Sequence, residues 1–150
     1  MNIQWAAKRF HELSVRELHD LLRLRTDVFV VEQACAYAEI DGRDPEAIHI
    51  LGRTNEGEFI ACARILPPDD HGLPHVGRVV VHADQRGHGI AGDLMLFALE
   101  ELQRAYGSRR SEVAAQAHLE KFYARFGYVR TGPDYPWDGI PHVDMRRDAD

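Results

Sequence analysis

Arg86, Gly87, Gly89 and Gly92 are the residues whose types and spacing can do chemistry. They follow a β-branched run, Val79-Val80-Val81, and lead into a long segment with apolar residues at helical spacing. A glycine-rich turn between a strand and a helix leaves several backbone N–H groups unpaired and aims them at one point, where the helix dipole adds positive potential. That is a seat for a phosphate group, so the sequence predicts a phosphorylated cofactor. A turn without a ligand is the plainer alternative. Against it, glycine near a helix start is destabilising relative to alanine unless backbone must approach something closely.

Two other phosphate-binding schemes fit less well. Gly87-His-Gly89-Ile-Ala-Gly92 satisfies the spelling G-x-G-x-x-G, but a dinucleotide-binding unit needs an acid at the end of the next strand to hold a ribose hydroxyl. Glu112 lies at about that distance and precedes the next strand instead. The loop also lacks the Lys-Ser/Thr ending of a triphosphatase P-loop. Among the nine histidines, His71, His75, His82 and His88 fall close together. They alternate with proline, glycine and strand residues rather than repeating at i, i+4 or joining cysteines, so no metal site is expected.

The elements that must position this turn are legible along the chain. Trp5 to Phe10 reads as a first strand. Ser14-Val-Arg-Glu17 matches a capping box, and Leu18, Leu21, Leu22, Arg25 and Val28 follow at helical spacing, predicting a helix to about Phe29. Glu32 to Pro45 reads as an acidic loop with one short helical turn. Ile48–Thr54 and Phe59–Leu66 read as strands joined by a hairpin at Asn55-Glu-Gly57, and Pro67 to Gly72 as a loop. A strand over Val76–His82 precedes a helix from about Gly89 to Tyr106, with Ile90, Leu94, Phe97, Ala98 and Leu102 as its apolar face and Gly107 as its stop. Val113–Ala117 reads as a short strand, His118–Phe126 as a second helix ending at Gly127, and Tyr128–Thr131 and Ile140–Met145 as closing strands. This order predicts one α/β domain over residues 1–150, with a mixed sheet and helices on both faces.

Composition limits the function classes. A net charge of −6 leaves no broad basic face for nucleic acid or anionic lipid. The pairs Arg109-Arg110 and Arg146-Arg147 read as solvated surface. No apolar run approaches the roughly 20 residues needed to span a bilayer, and Met1 to Phe10 lacks a signal-peptide core. A cytoplasmic protein is expected. Cys35 and Cys62 are too few and too far apart for a disulfide scaffold and are expected to be reduced.

On these residues the chain resembles the GNAT superfamily of acetyl-CoA-dependent N-acetyltransferases. The family's cofactor motif, Arg/Gln-x-x-Gly-x-Gly/Ala, appears as Arg86-Gly87-His88-Gly89-Ile90-Ala91, directly after Val79-Val80-Val81. A second family motif, Asn seven residues before an aromatic-flanked Tyr, looks like Gln116 and Phe122-Tyr123, with Gln for Asn and Leu119 for the usual small residue as departures. Val28-Phe-Val-Val-Glu-Gln33, His49-Ile-Leu-Gly52, Ala63-Arg-Ile-Leu66, Gly77-Arg-Val79, Gln116-Ala-His-Leu119 and Asp138-Gly-Ile-Pro-His142 are similar to the ElaA-type branch.

The resemblance implies a central mixed, mostly antiparallel sheet of six to seven strands and a division of labour around acetyl-CoA. Its pyrophosphate would sit on backbone N–H groups from Gly87 through Gly92, and its pantetheine arm would pair with the backbone of Val79 to Val81. A bulge or splay would open a V between that strand and Val113–Ala117 for the thioester. Direct aminolysis needs a neutral amine, a polarised carbonyl and a proton for the departing thiolate. By the resemblance, the Val81 N–H polarises the carbonyl and Tyr123 is the general acid. A phenol near pKa 10 can supply a thiolate whose conjugate acid is near 8.5. The base is open among Glu32, Glu39, Asp41, Glu112, His49, His118 and His142, or a water chain. Glu32, Glu39, Asp41, His118 and His142 are the candidate acceptor contacts. The acidic loop suggests a cationic acceptor, a primary amine on a small molecule or peptide. A non-catalytic acyl-CoA-binding or interaction module is the alternative function, and a homodimer through exposed strand edges is possible.

Overall fold

The computed structural model describes residues 2–70 and 72–150. Met1 and His71, one of the histidines weighed above, lie outside the described residues. The elements are β1 (Ile3–Arg9), α1 (Val15–Thr26), β2 (Ile48–Thr54), β3 (Phe59–Leu66), β4 (His75–Val81), α2 (Ile90–Tyr106), β5 (Ser111–Gln116), α3 (Glu120–Ala124), β6 (Val129–Arg130), β7 (Tyr135–Trp137) and β8 (Ile140–Arg147). One mixed sheet runs β1-β2-β3-β4-β5-β8-β6, with β7 paired to β8. Every pairing is antiparallel except β4 with β5. The expected architecture is present, with eight strands among the described residues instead of six or seven because β7, a piece of three residues, adds to those expected.

Local chemistry explains the main elements. The Ser14 hydroxyl accepts from the Glu17 N–H at 3.0 Å, and Glu17 returns a carboxylate to the Ser14 N–H at 2.9 Å. That closed box starts α1, and Lys8 on β1 bonds the same carboxylate at 2.7 Å. The expected helix to Phe29 is α-helical only to Thr26. From Asp27 to Glu32 it widens into a π turn, with i→i+5 bonds such as Gln33 N–H to Val28 O. The second predicted helix is likewise split, into a 3-10 turn at Ala117–Leu119 and α3. Gly89 and Gly107, both left-handed, bound α2.

The sheet is covered on both faces. Ala61, Ala63 and Ile65 of β3 and Val81 of β4 join Ile90, Leu94, Met95, Ala98 and Leu102 of α2 in the main core. On the other face Cys62 and Val80 pack against Leu21, Leu24 and Val28. A strand buried on both faces shows a continuous apolar run rather than alternation, and β3 is such a strand. The Cys62 thiol, fully enclosed, is pushed up to about 12 by burial.

Two arginines interrupt these apolar patterns, Arg25 on the buried stripe of α1 and Arg64 inside β3. Both are buried, and both bond acids of the loop after α1. Arg25 donates to Glu39 at 2.7 Å and to Asp44 at 2.8 Å; Arg64 donates to Asp41 at 2.6 Å and Asp44 at 3.0 Å. The loop expected to be acidic with one short helical turn has that turn at Asp44–Glu46 and points these acids inward. Removing one partner of a buried ion pair strands a charge, at about 3–5 kcal/mol.

Arg25→Leu is expected to destabilise the protein by about 3–5 kcal/mol in urea unfolding, because Glu39 and Asp44 remain buried. Arg64 bonds hold the Asp41 carboxyl below its ordinary value. Burial alone would raise Asp44, but bonds from Arg25 and Arg64 outweigh it and lower that carboxyl as well. Carboxyls depressed in the folded state contribute stability above their unfolded pKa of about 4 and lose it as pH falls through the folded value. Unfolding free energy measured from pH 6 downward should stay level to about pH 4 and then fall; a flat profile to pH 2 would contradict this account.

Candidate active site

Strands β4 and β5 run parallel and pair at one position, His75 with Glu112. Beyond it they part. The reason lies in β4, where register against β3 shifts between Cys62 and Arg64: Cys62 faces Val80, and Arg64 faces Gly77. β4 thus spends one extra residue, a bulge, and Arg78 there has φ +51°. Bulges bend the strand that carries them. The Arg78 guanidinium is clamped by Glu39, with Nε to the carboxylate at 2.7 Å and Nη2 to the Glu39 carbonyl at 3.2 Å, and it stacks over the Tyr37 ring at 5.5 Å. The Tyr37 hydroxyl donates to the same carboxylate.

The splay leaves one edge of β4 without a strand partner. The His82 N–H donates to Ile60 O of β3 at 2.7 Å. Backbone N–H groups alternate edges along a strand, so the Val81 N–H turns toward the gap. Val79 and Val81 pack on the α2 side and Val80 on the α1 side. Their side chains belong to the core while their backbone lines the opening.

The gap leads to the glycine loop. Gly87 has φ +86° and Gly89 φ +76°, and a Cβ at either would meet open space. Conformation, not crowding, selects glycine there. Gly89 caps α2 without any side-chain cap, and the first intrahelical bond runs from Asp93 N–H to Gly89 O. The amides of Ile90, Ala91 and Gly92 thus remain available to an anion, although the Ile90 side chain is buried. A Cβ on Gly92 would sit 3.7 Å from Phe126, an ordinary contact. His88 is exposed on the same loop. Arg86 donates to Val81 O at 3.2 Å and, through both terminal nitrogens, to Glu32 at 2.7 and 3.0 Å.

Tyr123 lies on the α2 side, 7% exposed, edge-on to Phe122 and Tyr128. Its hydroxyl has no hydrogen-bond partner among the described residues. Burial, then the neighbouring Tyr128, raises its pKa, so it stays a protonated phenol at neutral pH. Gln116 ends β5 and exchanges reciprocal amide bonds with Gln33 at 3.1 and 3.3 Å. That pair and the Glu32–Arg86 pair tie the π turn after α1 to both sides of the gap.

The remaining candidates divide. Glu39 is buried in the Arg25–Arg78 clamp and Asp41 is paired with Arg64, so the loop offers less free negative charge than its composition suggests. His49 is buried, with Nε2 donating to Asp44 O at 2.9 Å. Glu112 stands at the closed end of the V beside His75 and 3.6 Å from Arg146. The ligand atoms of Asp69, His75 and Glu112 lie within 4.8 Å of one another, a grouping that histidine spacing alone could not reveal; Arg146 brings a positive charge to it. His118 is exposed in the 3-10 turn. His142 faces Gln116 across β5 and β8. Sequence reasoning missed Arg78, Tyr37 and Gln33. Only Arg78 carried a local signal, a charge inside a β-branched run.

The chain matches the family model of the acetyltransferase (GNAT) domain over residues 18–149. It is 44% identical to Protein ElaA of Escherichia coli over 150 residues, covering 98% of this chain and 97% of that one. The crystal structure of E. coli ElaA has a TM-score of 0.91 to it, covering 98% of this chain and 100% of the other. The crystal structure of an acyl-CoA N-acyltransferase from Pseudomonas aeruginosa has a TM-score of 0.92 at 39% identity, covering 97% of this chain and 99% of the other.

Forcing a Cβ into the left-handed region costs roughly 1–2 kcal/mol. Gly89→Ala is therefore expected to weaken coenzyme A binding about tenfold in titration calorimetry, since the helix start must shift to relieve the strain. An unchanged affinity would show that the amides of this turn do not hold the ligand.

Proposed function

The chain belongs to the GNAT acetyltransferase family, and from that premise we propose that it transfers the acetyl group of acetyl-CoA to a primary amine by direct aminolysis. The parting of β4 from β5 after one residue pair carries this reading. It leaves a strand edge able to bond an extended pantetheine arm, and it opens beside the uncapped amides of α2, which suit a diphosphate. The acetyl thioester then lies in the V, where the Val81 N–H can polarise its carbonyl.

The proposed sequence of events is short. A neutral amine attacks the carbonyl carbon, the C–N bond forms, and the C–S bond breaks with its electron pair moving to sulfur. Tyr123 gives its hydroxyl proton to that sulfur. The role is carried by the likeness of Phe122-Tyr123 to the family motif. Burial raises the phenol pKa, which keeps the proton on oxygen at neutral pH but makes its transfer to sulfur less favourable than from an ordinary phenol. The same desolvation makes the phenolate strongly basic, so it recovers a proton readily once product leaves. The acceptor proposed is a primary amine on a small molecule or peptide.

Release of free thiol from acetyl-CoA, measured against a panel of neutral and cationic primary amines, tests the reading. At least one amine should drive release in proportion to acetylated product. Coenzyme A binding without release for any amine would favour a binding module over an enzyme. Tyr123→Phe is expected to lower kcat by about tenfold or more with little change in coenzyme A affinity; an unaltered kcat would remove the acid role.

A further inference from the structure

The split sheet has two faces, and they differ in chemistry. Along β5 and β8, Val113, Ala115, Val143 and Met145 turn into the core shared with α2 and Tyr123. The alternate residues turn to the face that α1 covers over β3 and β4: Glu112, Ala114 and Gln116 on β5, opposite Arg146, Asp144 and His142 on β8. Here that face is open enough to leave Ala114 and Asp144 exposed. Its far end forms a corner. Gln33 closes it through its bonds to Gln116, and Cys35 Sγ reaches the Asp138 carbonyl at 3.4 Å in the turn between β7 and β8.

His142 sits in that corner with its ring fixed. Nδ1 is 2.7 Å from the Ile140 carbonyl oxygen. A carbonyl can only accept, so Nδ1 carries the proton and the neutral ring presents Nε2 as a lone pair. Nε2 has no partner among the described residues. Tyr135 stacks on the ring at 6.1 Å and Trp137 lies against it at 5.3 Å. The charged groups around it are Asp144, two residues along β8 and accepting from the Tyr135 hydroxyl at 2.6 Å, and Asp138 in the adjacent turn. Of the other candidate bases, Glu39 is buried under arginines and His49 is enclosed, while Glu32 forms a half-exposed pair with Arg86.

We propose that His142 is the general base, taking the proton of the attacking amine at Nε2 on the face of the sheet opposite Tyr123. The inference rests on the acetyltransferase reading and completes its proton balance. As the C–N bond forms, one amine N–H proton passes to Nε2 while the thiolate takes the Tyr123 proton. The imidazolium then returns a proton through solvent to the phenolate. Amine plus thioester gives amide plus thiol, with both side chains restored.

The test uses full-length protein, acetyl-CoA and whichever primary amine of the panel reacts fastest, with acetylated amine as the measured product. His142→Asn can keep the bond to the Ile140 carbonyl yet has no basic nitrogen. It should lower kcat/KM about 10²-fold while coenzyme A affinity, measured by calorimetry, is unchanged. The acidic limb of the native kcat/KM profile that does not follow the acceptor's own pKa should disappear in the variant. Free imidazole should restore part of the rate to His142→Gly and none to Tyr123→Phe. A His142→Asn rate within about threefold of native, or a His142→Gly variant that binds coenzyme A and gains nothing from imidazole, overturns the assignment and leaves the acetyltransferase reading standing. Native protein that acetylates no amine removes both.

Discussion

The bend in β4 is the constraint on which the site depends. Parallel strands normally continue their ladder; here β4 leaves β5 after one residue pair because an extra residue at Arg78 forces a bulge. A non-glycine residue at φ +51° is strained and persists where its surroundings over-determine it. Those surroundings are the Glu39 carboxylate, the Glu39 carbonyl and the Tyr37 ring, all from the loop after α1. Glu39 is in turn held by Arg25, whose burial in α1 leaves it little freedom. The chain of contacts from α1 through Glu39 to Arg78 converts a loop of acids into a brace that keeps the cleft open.

This brace explains why so much charge is buried. Replacing a buried ion pair with apolar residues is often neutral or stabilising, so such pairs are poor evidence for stability as such. Their value here is geometric. An apolar side chain in place of Arg78 could pack, but it could not hold the backbone at a fixed φ through directed bonds to a carboxylate and a carbonyl. Arg86 presents the opposite case. Its bidentate bond to Glu32 is half exposed on both sides, and exposed pairs contribute at most about 1 kcal/mol. A diphosphate arriving at the start of α2 can draw Arg86 from Glu32 at small cost. The firm interactions fix the cleft, and the weak one lies where a ligand enters.

The sequence revealed the frame better than the brace. β2 and β3 have the bounds their apolar runs predict, and α2 begins and ends at its two left-handed glycines. Their causes are local: β-branched composition, helical period, turn chemistry. β7 was missed because Tyr-Pro-Trp contains a proline, which argues against a strand interior. It survives as a short strip paired only to β8, with Pro136 opposite Pro141. The π turn over Asp27–Glu32 follows directly on the helical spacing that runs from Leu18 to Val28, with no glycine or proline to mark the change. Glu39 read as loop surface because its partners are 14 and 39 positions away in sequence. Yet Arg25 in an apolar stripe and Arg64 in an apolar strand were visible, and a charge in such a place demands an acid from somewhere.

The two faces of the sheet give the chemistry its direction. Tyr123 is sealed among aromatic rings on the α2 side, where burial opposes its ionisation and keeps its proton on oxygen at neutral pH. The opposite face along β5 and β8 is wetter and polar, with Asp144, Gln116 and His142. An amine needs access to water to lose a proton and arrive neutral, whereas a thioester gains from exclusion of water, which protects it from hydrolysis. A sheet that is continuous through β3 and β4 and parted at β5 keeps these environments separate up to the point where the reacting atoms meet. The separation follows from strand alternation, since adjacent residues of β5 and β8 serve opposite sides. Shifting the register of β8 by one residue would exchange the faces and bring a valine to the corner where His142 stands.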